Sequence, residues 1–165
     1  MIVHKPPTRW SARPGVSTVF LAGSIEMGAA PDWQAELVRA LEPRDLTILD
    51  PRRAEWDASW RQSIDEPQFR EQVEWELDGL ERADLIAMWF VPETKSPVTL
   101  LELGLVARSG KVVIGCPDGF WRRGNIEVVA ARYGAPLVGA WDAFVTHVSG
   151  ALENLKRSLR DDAGL

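Results

Sequence analysis

The chain has 165 residues, of which 45% are hydrophobic and 26% charged, a composition typical of one soluble globular domain. Its formal charge of −5 argues against a nucleic-acid partner, because a phosphate backbone is held mainly by clustered cations. No apolar run approaches the ~20 residues of a membrane-spanning helix, and residues 1–15 lack the apolar stretch of a signal peptide. With the single cysteine Cys116 excluding an internal disulfide, we expect a cytoplasmic protein without a membrane partner.

Short apolar runs alternate with longer amphipathic segments along most of the chain. Residues 1–15, with three prolines, are predicted to be an irregular arm, and residues 16–165 a single domain. Strands are predicted at 17–22, 46–49, 84–90, 111–116 and 136–138. Helices are predicted at 33–41 after Asp32 as N-cap, from 67 onward, at 99–109, at 126–132 and at 141–159.

Alternating strands and helices imply parallel strands joined by right-handed crossovers. The sequence therefore predicts a doubly wound α/β domain with about five strands. Ligands of such domains bind beyond the carboxyl ends of the strands, near the point where the strand order reverses. This rule nominates residues 23–26, 50–53, 90–97 and 117–125 as the loops of a ligand site.

The first of these loops is not a phosphate loop. It has Gly23 and Ser24 but lacks the further glycines and the lysine that enclose a polyphosphate, and the dinucleotide-binding fingerprint is absent as well. Gly23 either lets the backbone approach a ligand closely or simply makes a turn.

Two glutamates are candidates for catalysis. Glu102 lies among leucines near the start of a predicted helix, where burying a carboxylate is costly. Glu76 borders the predicted buried stripe of the preceding helix, which consists of Phe69, Val73, Leu77 and Leu80. Two carboxylates converging on one cleft are typical of glycosidic chemistry. The alternatives are that Glu102 reaches solvent or caps a neighbour and that Glu76 pairs with a surface arginine.

Asp50, Arg52 and Arg53 follow the second predicted strand. Adjacent arginines at a strand end are suited to a phosphate, and the nearby Trp56 and Trp60 to stacking on a base, but the same residues also fit a surface loop. The two histidines, at positions 4 and 147, have no metal-ligand spacing and lie away from the strand ends, so neither a metal nor another cofactor is expected.

Together these motifs resemble the nucleoside 2-deoxyribosyltransferases, and most closely their less characterised deoxyribosyltransferase-like branch. The resemblance covers roughly residues 17–140. Its pieces are residues 20–25, 50–53, 73–77, 83–86, 96–104 and 110–111. The most specific one is the strand that opens with Asp84, followed 18 residues later by Glu102 in a Glu-Leu-Gly sequence.

The resemblance implies a flavodoxin-like three-layer α/β/α fold and a small-molecule nucleoside or nucleotide substrate. It identifies Glu102 as the nucleophile at C1′ and Glu76 as the second acid, in place of the aspartate of classical members. Phe20 stands where classical members carry the tyrosine that positions the nucleophile. Base exchange or hydrolysis with retention at C1′ would follow from a double displacement. The implied substrate-binding set is Phe20, Gly23, Ser24, Asp50, Arg52, Arg53, Asp84, Ser96 and Asn125.

Ser96 replaces an aspartate of the classical transferases and resembles the related 2′-deoxynucleoside 5′-phosphate N-hydrolases, where a serine helps to hold the 5′-phosphate. With Ser24 and Arg52 or Arg53 nearby, the resemblance allows a 5′-monophosphate as substrate. Family members also complete the site with a polar residue of a neighbouring subunit. Asn125 is the candidate here, so a homodimer or a larger even-numbered homo-oligomer is expected.

Two further functions remain open from the sequence. A non-catalytic nucleotide-binding or sensing module on the same fold is favoured by Phe20 and by the eight tryptophans. A hydrolase of a different N-ribosyl compound is the other alternative.

Overall fold

A computed structural model describes the backbone of residues 1–162 and the side chains of residues 1–158; residues 163–165, with which the predicted domain ends, lie outside it. Six strands form one parallel sheet: β1 (Ile2–His4), β2 (Thr18–Gly23), β3 (Thr47–Leu49), β4 (Leu85–Trp89), β5 (Val112–Gly115) and β6 (Leu137–Val138). Their order is β1-β3-β2-β4-β5-β6. The α/β prediction is confirmed, with one strand more than the five expected.

The additional strand lies in the segment predicted to be an irregular arm, so that prediction is wrong for Ile2–His4. This strand pairs in parallel with β3, where Ile2 is opposite Thr47. Lys5, which follows it, forms an ion pair of 2.8 Å with Asp50. Three residues beside two prolines are too few to show the alternation of a strand. Their conformation is set by pairing with a sheet edge that the local sequence does not reveal.

Five α-helices connect and follow these strands: α1 (Trp33–Leu41), α2 (Pro67–Arg82), α3 (Pro97–Val106), α4 (Arg123–Tyr133) and α5 (Trp141–Asp162). Asp32 caps α1 as predicted, since its carboxylate accepts a hydrogen bond of 3.0 Å from the amide of Ala35. Proline occupies the first position of α2 and α3, where its missing N–H costs nothing. Among residues 1–162, no helix combines the length and apolarity needed to cross a membrane.

The helices cover both faces of the sheet. Trp33 of α1 and Phe144 of α5 pack with Leu21 on one face, whereas Trp75 of α2, Leu103 of α3 and residues of α4 pack on the other. Two helices on one face and three on the other make the three-layer, doubly wound arrangement of a flavodoxin-like fold, as expected.

Helix α2 presents a different face to the sheet from the one predicted. Its buried residues are Gln72, Trp75, Gly79 and Leu80, while Leu77 of the predicted stripe is 38% exposed. The reason is a close approach at Gly79: a Cβ atom there would lie 2.4 Å from Cδ2 of Phe20 on β2. Only a residue without a side chain permits this contact, and the resulting rotation turns Gln72 and Trp75 inward.

Replacing Gly79 by alanine should therefore destabilise the fold, although alanine is the better helix former. We expect the free energy of unfolding to fall by about 1–3 kcal/mol from overpacking, measured by urea denaturation. Gly150→Ala in α5 is the matched control, because a Cβ there meets nothing within 4 Å. That variant should gain about 0.5–1 kcal/mol. Equal effects of the two substitutions would contradict the packing argument.

Candidate active site

The candidate site lies where the strand order reverses, at the carboxyl ends of β2 and β4. These neighbouring strands lead in opposite directions: the chain leaves β2 for α1 and β3, and leaves β4 for α3 and β5. Their outgoing loops separate there and open a crevice in folds of this kind. The start of α3, which follows β4, is therefore the helix end that faces the site.

Glu102 is a buried carboxyl group on α3. It is 8% exposed and lies on the same inward side of the helix as Thr99, Leu103 and Val106. Burial raises its pKa from 4.5 to about 8, and the charge of Glu76 adds to this rise. Among the side chains of residues 1–158 no cation pairs with Glu102. The alternative in which Glu102 reaches solvent is wrong.

Glu76 approaches Glu102 from helix α2. It is partly buried, and burial raises its pKa from 4.5 to about 7, while a hydrogen bond from Gln72 lowers it. Gln72 Nε2 donates to Glu76 Oε1 at 2.8 Å and also lies 2.9 Å from the carbonyl oxygen of Pro51. No arginine pairs with Glu76 in the described part of the chain. The rotation of α2 at Gly79 thus turns Glu76 toward the site.

The two carboxyl groups are held in a mutually coupled, poorly hydrated environment. Two adjacent anions cannot both ionise easily in such surroundings, so the second proton leaves at a higher pH than the first. With pKa values of about 7 and about 8, the pair holds one proton in the interval between them. A singly protonated pair provides one carboxylate and one carboxylic acid. Enzymes that cleave glycosidic bonds use these two groups.

Three buried hydroxyl groups form a cluster just before the start of α3. Ser24 Oγ lies 2.6 Å from Ser96 Oγ and 2.9 Å from Thr94 Oγ1, and the two latter atoms are 2.8 Å apart. The amide of Val91 donates to Ser24 Oγ at 2.9 Å. This hydroxyl cluster ties the end of β2 to the loop before α3. Ser24 and Ser96 belong to the predicted binding set, whereas Thr94 lies in a nominated loop but carries no local signal that would single it out.

Glu26 is a second residue without a predicted role, although it lies in a nominated loop. Its carboxylate Oε1 accepts hydrogen bonds from the amides of Lys95 at 2.9 Å and Ser96 at 2.6 Å. These amides precede the first turn of α3. A side chain from the loop after β2 therefore occupies the amino end of the helix that carries Glu102.

Gly23 and Phe20 have structural explanations. A Cβ on Gly23 would lie 2.2 Å from the carbonyl oxygen of Trp89 and 2.6 Å from the ring of Trp33, so glycine is required by packing within the protein. Phe20 is fully buried in β2, with its ring centroid 6.2 Å from that of Trp75. Its ring packs against α2 at Gly79. Phenylalanine has no hydroxyl group that could donate a hydrogen bond to Glu102.

Arg52 is committed to contacts within the protein. Its Nε donates to Gln34 Oε1 at 2.9 Å, and its Nη2 lies 2.8 Å and 2.7 Å from the carbonyl oxygens of Ala30 and Pro31. The backbone amide of Arg52 donates to Asp50, whose other oxygen binds Lys5. These contacts fix the loop after β3 and use the guanidinium that was expected to meet a phosphate.

Arg53 is held in a similar way. Its guanidinium pairs with Glu71 at 3.1 Å and lies 5.0 Å from the ring centroid of Trp60. Trp60 in turn meets Trp56 edge to face at 5.2 Å. The tryptophans thus pack against the arginine and each other, as in the surface-loop alternative.

Asp84 and Asn125 are not gathered into this site. Asp84 precedes β4, so about 16 Å of strand separates it from the carboxyl edge, and its carboxylate accepts the amide of Thr18 at 2.7 Å. Its assignment to substrate binding is corrected to a structural contact between strands.

Asn125 is exposed on α4, where it lines a groove with Leu100, Leu103 and Gly104 of α3. Within residues 1–158, no three His, Cys, Asp or Glu side chains are grouped to hold a metal ion.

Fold and site together define an α/β protein with one buried and one partly buried carboxyl group at the switch point of a parallel sheet. Residues 16–120 match the family model described as "Nucleoside 2-deoxyribosyltransferase like". The match covers more than half of the chain, and the protein belongs to this family. The crystal structure of a conserved protein from Enterococcus faecalis V583 superposes with a TM-score of 0.50 at 15% identity, covering 89% of this chain and 99% of that one. This likeness shows the fold alone. A search of curated proteins finds no match.

The buried pair predicts an unusual pH dependence of stability. Because folding raises both pKa values above 4.5, the native protein binds more protons than the unfolded chain, and the free energy of unfolding should fall as pH rises toward about 8. Glu102→Gln should flatten this fall and stabilise the protein above pH ~8 by on the order of a few kcal/mol. Urea denaturation across this pH range measures it. Glu74→Gln, on the exposed side of α2, should follow the wild-type profile; a Glu102→Gln profile parallel to wild type would refute the argument.

Proposed function

We propose that this protein cleaves the N-glycosidic bond of 2′-deoxynucleosides or their 5′-monophosphates, by transfer to a second base or to water. The observation that carries the proposal is the pair formed by the buried Glu102 and the partly buried Glu76, held without a cationic partner among the described side chains. Keeping such groups away from water costs stability. Membership of the deoxyribosyltransferase-like family supports a use of this pair at a sugar's anomeric carbon.

The first step uses Glu102 as the nucleophile. Its carboxylate oxygen attacks C1′, the bond between C1′ and the base nitrogen breaks, and the bonding electrons leave with the base. Glu76 donates its proton to the departing base. This step requires the singly protonated pair with its proton on Glu76. Because the pKa of Glu102 is about 8 and that of Glu76 about 7, the proton lies mainly on Glu102 in the free protein, so the reactive form is the minor one and the proton must first pass to Glu76.

The second step releases the sugar from Glu102. Water or a second base attacks C1′ from the opposite side, Glu76 accepts the proton of the attacking group, and the ester bond to Glu102 breaks. Two inversions at C1′ leave its configuration unchanged. Gln72 keeps Glu76 in place during both steps through its bond of 2.8 Å.

Removing either carboxyl group should abolish or strongly reduce base release. We expect kcat to fall roughly 10³-fold or more in Glu102→Gln and about 10²-fold in Glu76→Gln. Chromatography of mixed deoxynucleosides, deoxynucleotides and free bases follows release and exchange. Glu74→Gln should keep wild-type rates. A 2-fluoro-2-deoxy sugar analogue should add its mass to Glu102, and labelling of another residue would refute that assignment.

The rate of the wild-type protein should also depend on pH in the form of a bell. Base release needs one carboxylate and one carboxylic acid, so it should decline below about pH 7 and above about pH 8. A rate that keeps rising well above pH 8 would argue against Glu76 as the proton donor. Calorimetric binding of nucleotides without any turnover would support the non-catalytic binding module instead.

We further propose that the protein acts as a homodimer or larger even-numbered assembly through α3 and α4. Val98, Leu101 and Leu105 form an exposed apolar stripe on α3, at 59%, 65% and 57% exposure. The groove containing Asn125 lies between α3 and α4. An apolar stripe beside a groove suits a self-complementary interface. Such an interface would bring Asn125 of one subunit close to the helix that carries Glu102 of the other.

A charge in this stripe should dissociate the assembly. We expect Leu101→Glu to shift the sedimentation profile from dimer or larger to monomer, because the interface would then bury an unpaired carboxylate. Glu36→Gln, at an exposed position of α1 on the other face of the sheet, should leave the sedimentation profile unchanged and serves as the control. A wild-type protein that sediments as a monomer at all concentrations would overturn the proposed interface.

A further inference from the structure

We infer that Glu26 makes this site select unphosphorylated deoxynucleosides over their 5′-monophosphates. Its carboxylate occupies the amino end of α3, where the phosphate group of a nucleotide would otherwise meet two amide N–H groups. The inference rests on the proposed function, and it concerns a choice of substrate that the pair of catalytic glutamates does not itself determine.

The contacts of Glu26 are those that a bound anion would make. Amides at the amino end of a helix attract negative charge, and those of Lys95 and Ser96 lie just before the first turn of α3. Here the amides of Lys95 and Ser96 both donate to Glu26 Oε1, at 2.9 Å and 2.6 Å. The protein thus supplies its own anion at this position.

The backbone around these contacts adopts uncommon conformations. Glu26, Met27 and Ser96 have φ angles of 48°, 52° and 44°, in the left-handed region that residues other than glycine rarely enter. Each such residue costs on the order of 1 kcal/mol or more and persists only when its surroundings enforce it. The carboxylate–amide bonds enforce it here, since they join the two strained segments.

The position also fits the distance between the reacting carbon and the 5′ end of a nucleoside. Ser96 is the N-cap of α3 and precedes Glu102 by six residues, or about 9 Å along the helix axis. Side chains of a helix lean toward its amino end, so the side chain of Glu102 is directed toward the end of α3 at which Ser96 lies. A deoxyribose ring whose C1′ faces Glu102 can therefore direct its 5′ oxygen toward Glu26.

The charges around Glu26 favour a hydroxyl group over a phosphate. Glu26, Glu76 and Glu102 are all acidic, whereas Arg52 is already engaged by carbonyl and amide oxygens. Other cations on the segments that follow the strands have partners too: Arg53 binds Glu71, Lys5 binds Asp50, and the Lys95 ammonium lies 4.8 Å from the ring centroid of Trp121. A dianionic phosphate would meet repulsion from Glu26 and find its amides occupied. A neutral 5′-hydroxyl can donate a hydrogen bond to the same carboxylate.

The test compares kcat/KM for a deoxynucleoside and its 5′-monophosphate in wild type and in Glu26→Ala. We expect the wild type to prefer the nucleoside, and Glu26→Ala to shift the ratio about tenfold or more toward the monophosphate, mainly through a lower KM for the monophosphate. Glu93→Ala is the matched control, because it removes an exposed carboxylate from the same loop as Lys95 and should leave the ratio unchanged. If Glu26→Ala does not fold, Glu26→Gln should give a smaller shift in the same direction.

The outcomes separate this inference from the proposed function. Base release from monophosphates at least as efficient as from nucleosides in the wild type would overturn the role of Glu26 and leave the function standing. An unchanged ratio in the Glu26 variants would overturn it as well. If no substrate releases a base, the proposed function fails, and calorimetric titration with a deoxynucleoside 5′-monophosphate decides: tighter binding by Glu26→Ala than by wild type supports the inference, and equal affinity overturns it.

Discussion

The arrangement of the site depends on how closely helix α2 approaches strand β2. The absence of a side chain at Gly79 lets the helix rest on the ring of Phe20, where a Cβ atom would come within 2.4 Å. This contact sets the rotation of the helix about its axis. Gln72 and Trp75 consequently face the sheet, and Glu76 lies at the border of the buried face near Glu102. A side chain at position 79 would push α2 away from β2. We expect Glu76 then to turn toward water and away from Glu102.

Burial of the two carboxyl groups is costly for the fold and useful for chemistry. Desolvation raises both pKa values, and their mutual repulsion keeps one proton on the pair near neutral pH. The protein does not relieve this cost with a cation in the described part of the chain. It supplies only the amide of Gln72, which orients Glu76 without neutralising it. A pair of carboxyl groups that shares one proton suits a reaction that requires both an acid and a base.

The loops that follow β2, β3 and β4 are held together by hydrogen bonds within the protein. Arg52 binds carbonyl oxygens on the loop that leads into α1, and the hydroxyl cluster joins Ser24 to the loop before α3. Polar groups that the sequence predicts to bind a ligand therefore form hydrogen bonds within the protein instead. Arg52 and Arg53 consequently use their guanidinium groups for contacts within the protein.

The sequence by itself determined the α/β class, the alternation of helices and strands, the cap at Asp32 and the two glutamates, because each of these is encoded by periodicity or by a short local motif. The strand Ile2–His4 and the buried face of α2 were decided by tertiary structure, since both arise from contacts with residues distant in the chain. The same holds for Asp84, whose partner is the amide of Thr18 on the adjacent strand. Local patterns indicate which residues prefer to be buried, but a partner 66 residues away is brought into contact only by the assembled sheet.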